Sequence, residues 1–191
     1  MSVSKPCFAV ASICALLAVL TAALPAQGRA REAVDRRPAD PAARGPEGGI
    51  KALQSLAGQK DSAAAADLTR FLTEAEDPLL RAQAAALLGI LGGGEETVAA
   101  LSAALDDPAA PVRVHAVRAL GKLEGVKAVP VLCDILVRDP DARVRRVAVR
   151  WLAALPGDEA RAAVEAAASD PDASVRRDVA RALATWGKHL P

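Results

Sequence analysis

One sequence unit recurs four times in this chain of 191 residues and restricts the folds that it can adopt. In each copy an Asp-Pro pair precedes an apolar residue and an arginine, then an alanine or valine, and then a leucine beside a small residue. The arginines lie 32, 32 and 31 residues apart, at Arg81, Arg113, Arg145 and Arg176. A fixed period in this range is typical of stacked-repeat folds, in which neighbouring units bury each other's apolar faces.

Each copy predicts two helices joined at a corner. Proline cannot continue a helix and forces the preceding residue into an extended conformation, so each Asp-Pro pair marks the corner. On the following helix, a turn of 100° per residue places one apolar group on a single side, Val144, Val147, Ala148, Trp151 and Leu152. Hydrophobic residues make up 52% of the chain but aromatic residues only 2%, so helix-forming Ala and Leu dominate. The sequence therefore predicts an all-α protein of nine helices.

The unit Asp-Pro, Val-Arg, Ala, Leu-Gly resembles the HEAT-like repeat, and especially the short bacterial units called PBS-lyase HEAT-like repeats. The resemblance covers about residues 60–187, although the first unit is two residues shorter and Ala153 and Ala184 replace the closing glycine. It implies an α-solenoid of about four helical hairpins with an N-terminal capping helix. In this family the repeat arginine usually pairs with the corner aspartate along the stack. The resemblance thus implies a structural role for Asp77, Arg81, Asp107, Arg113, Asp139, Arg145, Asp170 and Arg176.

The segments before the repeats predict export. Residues 1–26 look like a signal peptide, with Lys5, an apolar run and small residues ending at Ala26. Cleavage after Ala23 or Gly28, or an uncleaved anchor helix, are the alternatives. Residues 27–49 contain three prolines without apolar periodicity, which predicts a disordered linker before a repeat domain at 50–191. We therefore expect a periplasmic or secreted bacterial protein, bound to a membrane only if the N-terminal segment stays uncleaved.

No catalytic, cofactor or metal site is predicted. Neither His115 nor His189 has Cys or acidic neighbours at ligand spacing. The HEAT-like deoxyhypusine hydroxylases bind two irons through His-Glu pairs, and this sequence contains no His-Glu dipeptide. We therefore expect a non-enzymatic protein-protein interaction module, a scaffold or adaptor. The alternatives are an enzyme or enzyme accessory of the PBS-lyase HEAT-like type, which the resemblance implies, and a structural spacer.

Five arginines form the candidate binding site. They recur at equivalent positions on the polar side of the second helices, and in proteins of this family that side usually lines the concave face. Stacking should align them as a positive stripe at Arg118, Arg146, Arg150, Arg177 and Arg181. The stripe would bind an acidic segment of another protein, whereas the alternative is a solvated face that Asp178 and Asp141 partly neutralise. Nucleic acid is not expected, because the net charge is only +1 and few aromatics are present.

Overall fold

The computed structural model describes residues 46–59 and 61–187. The predicted signal peptide and most of the predicted linker lie outside them. No strand occurs in the described part, and nine α-helices fill most of it. In chain order, α1 to α9 span Pro46–Ala57, Ser62–Glu74, Pro78–Leu91, Glu95–Ala103, Ala110–Glu124, Val129–Arg138, Ala142–Ala154, Asp158–Ala166 and Ala173–Gly187. The predicted all-α solenoid is confirmed.

The helices form hairpins that stack in two layers. Helices α2, α4, α6 and α8 are the first helices of the four hairpins, and α3, α5, α7 and α9 are the second helices. Each second helix packs against the next one along the chain, and α1 caps the array by packing against α2 and α3. Equivalent leucines, Leu88, Leu120 and Leu152, are at most 2% exposed between the layers. Stacking thus provides the core that a single hairpin could not bury.

The corner aspartates make the same local turn in every unit. In each case Oδ1 accepts a hydrogen bond from the backbone N–H two residues further on, at 2.8 Å. Aspartate is favoured at such positions because its short side chain can complete this turn while the proline blocks continuation of the helix. The four turns involve Asp77, Asp107, Asp139 and Asp170.

An Arg–Asp ladder, made of the repeat arginines and the corner aspartates, connects consecutive units. Arg113 Nε and Nη2 donate to the two carboxylate oxygens of Asp139 at 2.7 and 3.0 Å, while Nη1 donates to the carbonyl oxygen of Asp107 at 2.9 Å. Arg81 with Asp107, and Arg145 with Asp170, repeat the bidentate contact. Each arginine therefore joins the corner of its own unit to the corner of the next, with the bidentate geometry typical of strong ion pairs.

The two ends of the ladder differ from its middle. At the C-terminal end, Arg176 donates to the carbonyl oxygens of Asp170 and Pro171, at 2.7 and 2.9 Å, and has no carboxylate partner among the described residues. At the other end, the Asp77 carboxylate accepts the N–H of Leu79 and receives no arginine from α1. The ion pairs that the ladder makes between units are thus the three internal Arg–Asp pairs.

The first helix begins earlier than the predicted repeat domain at 50–191. Helix α1 begins at Pro46, inside the predicted linker at 27–49, because proline suits the first turn of a helix. The first helices α4 and α8 are followed by tighter 3₁₀ turns, Ala104–Asp106 and Ala167–Ser169, which lead into the Asp-Pro corners. None of the described helices has both the length and the hydropathy needed to cross a bilayer.

Candidate functional site

A groove of about 550 Å³ crosses the outer side of the second helices α3, α5 and α7. We call it the second-helix groove. Small and apolar side chains form most of its floor, and cationic side chains stand along it. Its lining residues are Ala86, Gly89, Ile90, His115, Arg118, Ala119, Lys122, Val147, Arg150, Trp151 and Ala154.

Trp151 forms part of the groove because a glycine lies beneath it. The sequence places Trp151 with the core residues of α7, yet its side chain is only half-buried. A Cβ at Gly121, on the neighbouring helix α5, would lie 2.5 Å from the indole Cδ2 of Trp151. One unit earlier, a Cβ at Gly89 would lie 2.9 Å from the Cβ of Ala119. The closing glycine of the repeat therefore permits close contact with the second helix of the following unit. At Gly121 this contact is made by the indole of Trp151, which lies at the groove.

The N-terminal wall of the groove is apolar and exposed. Ile90 on α3 lines the groove and is 72% exposed, while Leu79, three turns earlier on the same helix and outside the groove, is 61% exposed. Reasoning from the sequence overlooked this wall, although a signal was present. Ala86 and Ile90 occupy the positions at which the next unit carries the cations Arg118 and Lys122.

Two cations beside the groove have no acidic partner within the described part of the chain. Arg118 and Lys122 are exposed on α5, one turn apart, and neither contacts a carboxylate there. His115 is half-buried beside them, and its burial together with the nearby charge of Arg118 lowers the pKa of His115 below its ordinary value. The groove thus combines an apolar floor with positive charge along one side.

Most of the predicted arginine stripe converges on a single buried carboxylate. Asp178 on α9 accepts from Arg146 Nε at 3.0 Å, from Arg150 Nε at 3.1 Å and from Arg181 Nη1 at 3.4 Å. The Asp178 side chain is 4% exposed. This carboxylate holds three members of the stripe in place. The two others, Arg118 and Arg177, are exposed, and neither contacts a carboxylate in residues 46–59 and 61–187.

The described residues contain no group of three or more His, Cys, Asp or Glu side chains placed to hold a metal ion. Cys133, on α6, is half-buried, and burial followed by the charge of Glu159 raises the pKa of its thiol. A raised thiol pKa leaves less of the reactive thiolate at neutral pH.

The sequence profile of HEAT repeats matches residues 46–121, 71–146 and 129–189. The chain belongs to the HEAT-repeat family. These matches span all four hairpins and begin at the first residue of α1, which agrees with the role of α1 as the capping end of the stack. As a HEAT-repeat protein, the chain is a helical repeat scaffold.

Two solved structures illustrate how far the likeness of this HEAT-repeat protein extends. Human deoxyhypusine hydroxylase in complex with glycerol is 30% identical, with a TM-score of 0.55 over 69% of this chain and 45% of the enzyme. The chain thus spans less than half of that enzyme's length. An engineered protein is 26% identical, with a TM-score of 0.49 over 72% of both chains. No curated protein matches.

Proposed function

We propose that this HEAT-repeat protein is a non-enzymatic interaction module whose second-helix groove binds an acidic segment of another protein. The observation that supports the proposal most directly is the pairing of an apolar floor, around Trp151 and Ile90, with the cations Arg118 and Lys122. These cations have no carboxylate partner in the described residues, so the carboxylates of an acidic ligand could form ion pairs with them without breaking an existing pair. Solenoids commonly bind partners along such extended surfaces.

The two parts of the groove have different roles in the proposed complex. One fully buried aliphatic or aromatic side chain of the partner, seated on the apolar floor, would contribute about 1.5–3 kcal/mol. Each exposed ion pair contributes only about 0.2–1 kcal/mol. The anchor would therefore provide most of the affinity, while the charges would select acidic segments and accelerate association.

The chemistry of the groove also gives the bound segment a direction. Its α3 side is apolar, with Ile90 and Ala86, whereas cations from α5 and α7 stand on the other side, with Arg118, Lys122 and Arg150. A segment that crosses the second helices would place its apolar anchor near α3 and α5. Its carboxylates would then lie toward α5 and α7.

A capture experiment with charge-reversal variants tests the proposal. The bait is the mature chain, and the source is an envelope extract, because the predicted signal peptide directs the protein there. The test variant is Arg118→Glu with Lys122→Glu, since neither residue holds a carboxylate in the described part. Arg150 and Arg181 are left unchanged because they contact the buried Asp178.

A matched control changes the net charge by the same amount outside the groove. Lys127 lies in the turn before α6 and Arg138 at the end of α6, and both are exposed, so Lys127→Glu with Arg138→Glu serves this purpose. We expect the wild type and this control to capture the same protein, and the groove variant to lose it. Capture of the same proteins by all three would contradict the proposal.

A second measurement then identifies what occupies the groove. In a Trp186→Phe background, Trp151 is the single tryptophan, because the chain contains only two. A synthetic peptide of the captured protein's binding segment should be acidic and should change the emission of Trp151 saturably. A binding segment without acidic residues, or emission that stays constant, would also refute the proposal.

A further inference from the structure

A smaller cavity of about 340 Å³ lies beside the groove, between α5 and α7. Four guanidinium groups and one imidazole surround it, above a floor of Pro111, Val114 and Val147. We call it the arginine pocket. The groups that bear charge or can acquire it are Arg118, Arg143, Arg146, Arg150 and His115.

Few carboxylates balance these arginines. Asp141 contacts Arg143 at 2.7 Å, and Asp178 contacts Arg146 and Arg150 but also serves a fifth arginine on α9. Arg118 contacts no carboxylate in the described residues. Guanidinium groups this close together repel one another unless an anion lies between them. The pocket therefore has an excess of positive charge that an added anion would reduce.

The fourth unit shows how an anion is bound at the equivalent place. Asp178 lies 31 residues after Val147, so the two residues occupy the same position of α9 and α7. Across the third and fourth units, Arg150 Nε on α7 donates to the Asp178 carboxylate on α9 at 3.1 Å. Arg118 occupies the position equivalent to Arg150 one unit earlier, and both it and Val147 line the pocket. Across the second and third units, Arg118 is thus retained but Val147 stands in the place of the acid, so Arg118 has no carboxylate at this position and could accept an anion from outside.

We propose that the arginine pocket binds a phosphate monoester dianion. Guanidinium groups match phosphate oxygens with paired hydrogen bonds, and three acceptor oxygens allow several arginines to contact one ligand. A dianion also reduces the excess charge further than a single carboxylate would. A phosphorylated side chain of a partner and a free phosphorylated small molecule share this chemistry. The inference does not depend on the proposed protein partner, because small phosphate compounds test it directly.

Nuclear magnetic resonance of His115 provides the test. The full chain with His189→Gln contains one imidazole, since the sequence has two histidines. Phosphoserine, inorganic phosphate and acetate are titrated separately at constant ionic strength. Phosphoserine and phosphate should shift the His115 ring signals saturably, with affinity about tenfold or more above that of acetate. A bound dianion should also raise the pKa of His115 from its lowered value, because a nearby negative charge favours the imidazolium.

Variants separate this pocket from the groove. Arg143 lines the arginine pocket but not the groove, and Lys122 lines the groove but not the pocket. Arg143→Gln should weaken phosphoserine binding about tenfold, whereas Lys122→Gln and the remote Arg138→Gln, which each remove the same single charge outside the pocket, should change it less than about twofold. Circular dichroism checks that all variants retain the same helicity. A failure of the phosphate test would leave the capture experiment unaffected, and the converse also holds.

The outcomes are distinct. A signal change that follows ionic strength without saturating, or equal affinity in the wild type and Arg143→Gln, would overturn the proposal. If phosphate binding is observed, a further titration compares a phosphoserine peptide with free phosphoserine. Tighter binding of the peptide would indicate that the natural ligand is a phosphorylated partner protein. Equal affinities would indicate a phosphorylated small molecule.

Discussion

Replacing Arg113 with methionine should strongly destabilise the protein, because Arg113 forms the central pair of the Arg–Asp ladder. Its side chain is 10% exposed and that of its partner Asp139 is 2% exposed. The substitution removes both hydrogen bonds to the Asp139 carboxylate and those to the carbonyl oxygens of Asp107 and Pro108. The methionine side chain is of similar length and fills most of the space of the arginine stem. Asp139 would keep only the backbone N–H of Asp141 as a partner.

The size of the effect follows from leaving a buried carboxylate without its cation. Removing one partner of a buried ion pair costs about 3–5 kcal/mol. The terminal Arg176 provides an internal comparison, because it makes the same contacts to corner carbonyls but has no carboxylate partner in the described residues. For the exposed Arg176, Arg176→Met should cost about 1 kcal/mol or less.

Urea unfolding followed by circular dichroism at 222 nm measures both variants. Solenoids can unfold unit by unit, so the free energies are comparable only if the slope with urea concentration stays the same. A third variant, Asp139→Leu alone, leaves the charge of Arg113 buried without its partner. The double variant Arg113→Met with Asp139→Leu removes both charges and should be more stable than Asp139→Leu alone, recovering much of its loss. Similar losses for Arg113→Met and Arg176→Met would refute the account of the ladder.

Two further predictions concern packing and pH. Gly121→Ala should cost about 1–3 kcal/mol of unfolding free energy and alter Trp151 emission, because its Cβ would overlap the indole; an unchanged urea midpoint would contradict this packing. Acid should also weaken the fold. Hydrogen bonds from Arg145 lower the pKa of Asp170 below 3.8, and although burial alone would raise the pKa of Asp107, its hydrogen bonds from Arg81 help to bring that pKa below 3.8 as well. The stability that these carboxylates provide is present above that value and lost as the pH falls below about 4, so urea midpoints that stay constant from pH 5 to 2.5 would contradict the prediction.

The architecture was readable from the sequence because the repeat encodes it locally. The Asp-Pro corners and the period of the arginines predict helix ends and stacking, and both depend on backbone rules that act within one unit. The residues of the ladder were also named in advance, through the family resemblance. Which aspartate each arginine contacts follows from stacking, which brings Arg113 of one unit to Asp139 of the next.

The site was less predictable because it arises between units. The repeat period predicted that the five arginines of the stripe align, but from the sequence Asp178 was expected only to neutralise part of the charge of that face. The structure shows that this one buried carboxylate contacts three arginines. An acidic residue at the position of the apolar Val147 was the available signal. The exposure of Trp151 depends on Gly121 in the preceding unit, so a helical wheel of α7 alone could not predict it. A binding role for the stripe stays a prediction.

Site-specific photo-crosslinking tests most directly the central claim that the second helices form the binding face. A photoreactive phenylalanine analogue at Ile90 reports on the groove, and the same analogue at Val137 on α6 reports on the first helices. These positions are matched, with exposed fractions of 72% and 79%. We predict crosslinks to an acidic segment of one protein from position 90 and none from position 137. Equal crosslinking from both positions, or crosslinking from position 137 alone, would contradict the claim.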